Sequence, residues 1–282
     1  MKFKRCCWFF ENFDFLIRFF YCRLGPISSL FHNLMFGKLY KSDFKELDRK
    51  FENVLELIKK QNISIKNKTI LELGPGNSKI NAYNFLLYGA KKVYLVDKFP
   101  RSGRPEKQKL FSLEEISFIK KKFPSKKLFF LNKNKEINTD FIKFISKDLT
   151  KIDNLKVDFI FSISVLEHIK NIEDNIKKMA KILNRGGTMF HHIDLRDHYD
   201  FANPFLFYKY SDFIWNNFLT KEGSSYTNRW REEDFSRVFR RNNLKAIWTK
   251  RTKYKIGKIA INKKFKDYKK LEIGILDIFL QK

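Results

Sequence analysis

The chain has 282 residues, 43% hydrophobic and 32% charged, enough apolar side chain for a sizeable core, which excludes a disordered chain and a disulfide-stapled miniprotein. Its three cysteines, Cys6, Cys7 and Cys22, all lie near the N-terminus; this excludes a Cys₄ or Cys₂His₂ zinc framework and a CxxC redox pair, and suits a reducing cytoplasm. The net charge of +27 favours anionic partners, but Lys, Asn, Ile and Phe (32 Phe alone) dominate, and A+T-rich codons encode those residues, so compositional bias explains the charge better than nucleic-acid binding does.

Residues 1–40 read as a segment of their own, basic and aromatic. Phe9, Phe13, Leu16, Ile17 and Phe20 recur at helical spacing, and Gly25-Pro26 breaks the pattern. Glu11, Asn12, Asp14 and Arg18 interrupt its most apolar run, which therefore falls short of the ~18–20 apolar residues of a membrane span and does not make a secretory signal. Peripheral membrane contact through residues 1–24 is one reading of this helix. A helix packed on the main domain, or covering its active site, is the favoured one, because Glu11 and Asp14 weaken a cationic face.

The main domain is expected over 41–282. A helix over 44–60 carries the stripe Phe44, Leu47, Phe51, Leu55 and Ile58, with Asp43 and Glu46 as a capping box. Strand and helix then alternate. Strands are expected at 69–73, 93–97, 141–146, 157–162 and 188–194, with helices at 78–88, 110–123 and 172–183. An insertion lies near 100–140, and an aromatic helical lid near 199–231, for which ordinary core is an equal alternative. A helix at 232–241 and strands at 244–250 and 271–279 complete the chain. This rhythm predicts an α/β fold, an open and mostly parallel sheet with helices on both faces.

Ligands in such sheets sit outside the carboxyl ends of the strands. The first strand runs into Glu72-Leu73-Gly74-Pro75-Gly76-Asn77-Ser78, a turn whose glycines let backbone approach a ligand. Asp97 ends the second strand, where a carboxylate can accept both hydroxyl protons of a ribose. A dinucleotide fingerprint would place Gly where Lys79 stands. Glu72 would repel a pyrophosphate but welcomes an aminoacyl, sulfonium-bearing nucleoside.

With these residues the chain resembles the class I S-adenosylmethionine-dependent methyltransferases, over roughly residues 65–280. Glu72 to Ser78 resembles the first motif of that family, Asp97 the ribose-binding acid, and Ser146-Lys147-Asp148-Leu149 the third motif, where Asp148 would bond the adenine amino group. The run 157–162, followed by Ser164-Val165-Leu166-Glu167-His168-Ile169, resembles the fourth strand and the motif after it in small-molecule members, and Leu183-Asn184-Arg185-Gly186-Gly187-Thr188 the turn before the fifth. The resemblance implies a Rossmann-like seven-stranded sheet of order 3-2-1-4-5-7-6 with strand seven antiparallel. It also implies S-adenosyl-L-methionine held by Glu72, Gly74, Gly76, Asn77, Asp97, Asp148 and Ser162.

Groups for the acceptor are expected after strands four and five. His168 follows strand four, and His191, Asp194 and His198 lie in the run His-His-Ile-Asp-Leu-Arg-Asp-His. A neutral imidazole suits proton removal, and Asp194 can fix its tautomer. His191 and His192 must face opposite ways; His191 is taken as the base. His168 serves equally well as a helix cap or pocket wall. Asp194, Asp197 and His198 could hold a metal, but three residues in one loop are weak grounds and none is assigned. Arg196, Arg229 and Arg231 could clamp an anionic acceptor, against surface pairing with Glu232, Glu233 and Asp234. The run at 191–198, with Asn228-Arg229-Trp230-Arg231 later, is similar to one subgroup of the family.

The expected activity is methyl transfer to an oxygen or nitrogen of a small anionic acceptor such as a sugar or lipid-linked glycan. Nucleic-acid amino methylation wants an Asn/Asp-Pro-Pro-Tyr tetrad where Ser162-Ile163-Ser164-Val165 stands, and pyrimidine carbon-5 methylation wants a cysteine near the site. A non-catalytic module at a membrane surface is the remaining alternative, and the intact acidic residues speak against it.

Overall fold

A computed structural model describes residues 15, 16, 18–20, 44–76, 78–98, 113–132, 136–198, 203–220 and 226–282. Helix α1 (Phe44–Lys60) turns Phe51, Val54, Leu55 and Ile58 inward, as its apolar stripe requires; the expected cap, Asp43, lies outside the described residues. Next come β1 (Thr69–Leu73), α2 (Ile80–Leu87), β2 (Lys92–Val96), α3 (Leu113–Lys122), β3 (Ile142–Ile145), β4 (Val157–Ile163), α4 (Ile172–Ile182), β5 (Leu183–Asp194), α5 (Glu232–Arg241), β6 (Lys245–Lys253) and β7 (Ile273–Gln281).

The seven strands form one sheet of order β3-β2-β1-β4-β5-β7-β6. Strands β1 to β5 pair in parallel, and β7 runs antiparallel to both β5 and β6. Strand order reverses at β1, so the crevice of such a sheet opens between the ends of β1 and β4. Alternate residues of the central strands feed two cores. Phe159, Phe161, Phe190 and Phe279 pack under α1 and α2. Ile160, Met189 and Leu276 pack under α4 and α5.

Three stretches differ from the expected elements. Strand β5 begins at Leu183, earlier than the glycines suggest, because the register shift at Val157/Phe159 lets Gly186-Gly187 pass within the ladder. Part of the stretch expected as an insertion belongs to the core. Phe130 is buried with its ring stacked 5.2 Å from that of Tyr83, beside an isolated bridge between Leu131 and Ile137.

The aromatic stretch is not one helix. It folds as a 3₁₀ turn (Leu206–Lys209), a short α turn (Asp212–Ile214) and a π turn (Trp215–Leu219). Phe205, Phe207, Tyr208, Tyr210, Trp215 and Leu219 collect around Phe265 as a third cluster, so their rings point inward without a 3.6-residue period. Of the N-terminal segment, the described residues 15, 16 and 18–20 are helical and lie against this cluster, Phe15 near Tyr210 and Phe19 near Phe218.

Candidate active site

The turn after β1 combines two left-handed glycines with a buried carboxylate. Gly74 and Gly76 both take φ +65. A Cβ on Gly74 would lie 2.6 Å from a Val165 methyl, whereas one on Gly76 would meet nothing within 4 Å. The first glycine thus admits the loop after β4, and the second faces open space. Beneath them Glu72 is 3% exposed and accepts a hydrogen bond from Asn81 Nδ2 at 2.7 Å. Its Oε2 meets no donor among the described residues. Burial raises its pKa to about 7, against the Asn81 bond. An orphaned, buried carboxylate oxygen under an open glycine turn fits a cationic amino group, as the methionyl end of S-adenosylmethionine would offer.

The rest of the turn is braced from below. Ser78, in the place of a third glycine, accepts the Ile80 amide at 3.2 Å and donates to Glu115 of α3 at 2.5 Å. Glu115 had no sequence signal, because it reaches the turn only through the packing of α3. Asn77 lies outside the described residues.

Asp97 is half-buried at the tip of β2, its amide donating to Ile145 O. Asp148 follows β3 half-buried, and one of its oxygens caps the next turn by accepting from Thr150 N at 3.0 Å and Thr150 Oγ1 at 2.7 Å. The other lies 3.7 Å from Lys98 Nζ. Despite burial, those bonds hold its carboxyl below the usual range.

Ser162 and His191 are placed elsewhere than expected. They are neighbours across β4 and β5, both with no exposed surface, and Ser162 Oγ bonds His191 Nδ1 at 2.7 Å. The imidazole lies parallel to Phe239 of α5, with centroids 6.3 Å apart. Burial lowers its pKa to about 3, so it stays neutral. The register that puts Ser162 beside His191 turns both into the core, and neither is available to cofactor or acceptor. His192 points to the other face and meets Asp277 of β7 at 2.5 Å.

Two of the three arginines also hold the fold. Arg231 is fully buried; its guanidinium donates to the carbonyls of Leu195 (2.7 Å), Leu271 (3.3 Å) and Ile273. Arg229, 3% exposed, donates to Phe207 O (3.2 Å), Tyr210 O (2.7 Å) and Asp212, and lies over Trp215. Both fasten backbone carbonyls, most of them in irregular segments and one at the start of β7, which corrects the expectation that they clamp a substrate. Arg196 is engaged bidentately by Asp194, at 2.9 and 2.7 Å, and lies over the Tyr254 ring. These bonds hold the Asp194 carboxyl far below its ordinary range, against its burial.

His168, His198 and Asp194 do come together. The left-handed Ser164 (φ 52) turns the chain off β4 into the 3₁₀ turn Leu166–His168. Asn228 straps that turn, its side chain donating to Leu166 O at 2.8 Å and Ile169 O at 3.1 Å and its amide to Glu167 O at 2.8 Å. The His168 and His198 rings stand edge to face, 4.8 Å apart, with His198 Nε2 3.6 Å from Asp194. Between them Glu167 is buried, and burial raises its carboxyl to about 7. Sequence reasoning assigned nothing to Glu167 or Asn228, although both stand in quoted motifs.

No curated protein matches the chain. Among solved structures, a S-adenosylmethionine-dependent methyltransferase from Clostridium acetobutylicum is 14% identical (TM-score 0.46), over 92% of this chain and 98% of its own. One from Mesorhizobium loti is 11% identical (TM-score 0.45), over 80% and 96%. The N-methyltransferase NodS from Bradyrhizobium japonicum, in complex with S-adenosylhomocysteine, is 12% identical (TM-score 0.41), over 83% and 86%. A family model described as a methyltransferase domain matches residues 43–250, from the helix that precedes β1 into β6. That span takes in every strand tip lining the crevice, and the chain belongs to the methyltransferase domain family.

Proposed function

We propose that this methyltransferase takes its methyl group from S-adenosyl-L-methionine and gives it to an oxygen or nitrogen of a small anionic acceptor. When bound, that cofactor supplies an electrophilic methyl on a sulfonium. The observation that carries the reading is the turn after β1, where open space at Gly76 stands over the unpartnered oxygen of Glu72. Glu72 and the glycine backbone would hold the aminoacyl end, Asp97 the ribose and Asp148 the adenine edge, with Asn77 beside the turn. The carboxylate–imidazole cluster of Glu167, His168 and His198 stands beyond the tips of β4 and β5, where it serves the acceptor and its departing proton. Asp194 orients His198 and Arg196, which supplies positive charge there for an anionic group.

Calorimetry with S-adenosylmethionine tests the reading. The parent binds one equivalent. Asp97→Ala weakens binding by at least about tenfold, the worth of a charged hydrogen bond. Gly76→Ala also abolishes most affinity, while its left-handed strain lowers stability by only about 1–2 kcal/mol. A parent that gives no heat of binding would end the proposal.

A further inference from the structure

Glu167 is the feature of the acceptor end that methyl transfer alone leaves unexplained. The side chain is 2% exposed; one oxygen accepts the Asp194 amide at 3.2 Å, and Oε2 has no donor among the described residues. A buried carboxylate oxygen facing two imidazoles needs a positive partner. One ligand atom each from Glu167, His168 and His198 lie within 4.8 Å of one another. His168 Nδ1 is 2.6 Å from the Tyr226 carbonyl, which can only accept, so the proton of the neutral ring sits on Nδ1 and Nε2 carries the lone pair. An outward bond of this kind is how a metal-ligating imidazole is held in its tautomer and orientation. The strap from Asn228 fixes the turn that carries two of the three groups.

We propose that Glu167, His168 and His198 bind one first-row divalent cation at the acceptor end of the crevice. Two nitrogens and one carboxylate suit zinc, manganese, iron, cobalt or nickel, and not calcium, which takes oxygen ligands in larger number. Three protein ligands leave positions open for an oxygen of the acceptor. One carboxylate against two positive charges leaves the site net cationic, which selects an anionic, oxygen-bearing acceptor. A hydroxyl bound there loses its proton to water more readily than in solution. The placing of the acceptor rests on the proposed function; the cation site does not.

The test is titration of the full chain, chelator-treated and then dialysed, with Co²⁺ alone, followed by calorimetry and visible absorption. The parent takes up one equivalent. His198→Ala and the conservative Glu167→Gln each weaken binding by at least about tenfold, the lower end of what even outer-shell changes do to metal sites. Replacing Cys6, Cys7 and Cys22 by Ser leaves it unchanged. Circular dichroism reports folding of each variant, and Glu167→Gln decides if His198→Ala fails to fold. No uptake by the parent overturns the assignment, as does uptake that survives both variants or disappears with the cysteines. A parent that binds Co²⁺ as stated but gives no heat with S-adenosylmethionine keeps the cation site and discards the methyl-transfer reading.

Discussion

At the scale of residues, chemical type was a poor guide to role wherever burial decided it. His191 has the side chain expected of a base, yet its neighbours are Ser162 and Phe239, and no charged group compensates its burial. Its pKa of about 3 in the fold, against 6.5 for an exposed imidazole, has a consequence for stability. Between those values the unfolded chain binds a proton that the folded chain refuses. Stability therefore falls as pH falls through that window, by up to about 1.4 kcal/mol per pH unit from this group. His191→Gln keeps a partner for Ser162 and removes the titration. The gap in unfolding free energy between parent and variant is expected to move in favour of the variant from about pH 6 to 4, with turnover at neutral pH retained. Parallel urea-derived stability profiles for the two proteins would contradict this account. The glycine turn was legible because left-handed backbone has a sequence signature. Arg229 and Arg231 were not, because a guanidinium serves a carbonyl as readily as a carboxylate.

At the scale of elements, the residues after the sheet's parallel half are held by long-range polar contacts. Arg18 and Asp197 form an ion pair at 2.5 Å, with side-chain exposures of 4% and 1%, and Arg18 also lies over Trp215. Asp197 is next to His198, and its amide donates to Pro204 O. Arg18 therefore ties the described N-terminal residues to the loop after β5 that carries His198. No helix of the described residues is long and apolar enough to cross a membrane. Arg18→Ala removes one member of a buried ion pair, which costs about 3–5 kcal/mol. The expected result is a lower urea midpoint and faster proteolysis around residue 197, whereas Arg18→Met with Asp197→Leu restores most of the loss. An unchanged midpoint in the single variant would show that the pair is solvated. Nothing local predicts this contact, since its partners are far apart in sequence, while the helices α1 and α5 were readable from their own periodicity.

At the scale of the whole molecule, the alternation of strand and helix made an open, mostly parallel sheet legible, while the strand order was what the family resemblance implied. The antiparallel insertion of β7 between β5 and β6 came only with the family resemblance, although the largely buried, apolar β7 and the basic, more exposed β6 suit an inner and an edge place. The same scale decides what the net charge of +27 means. Some of the positive charge is engaged internally, as by Arg18, Arg196, Arg229 and Arg231, and the rest follows the composition. A chain built to read RNA would bind one sequence over others and retain that preference in salt. One that is merely basic releases counterions from any phosphate backbone, and its affinity falls by about 10³ or more between roughly 50 and 200 mM salt when six or more phosphates are engaged. Filter binding to unrelated RNA oligonucleotides is expected to show equal affinities at low salt and this steep common loss. A sequence preference that persists at the higher salt, with methyl incorporation into that RNA, would replace the small acceptor with a nucleic-acid one.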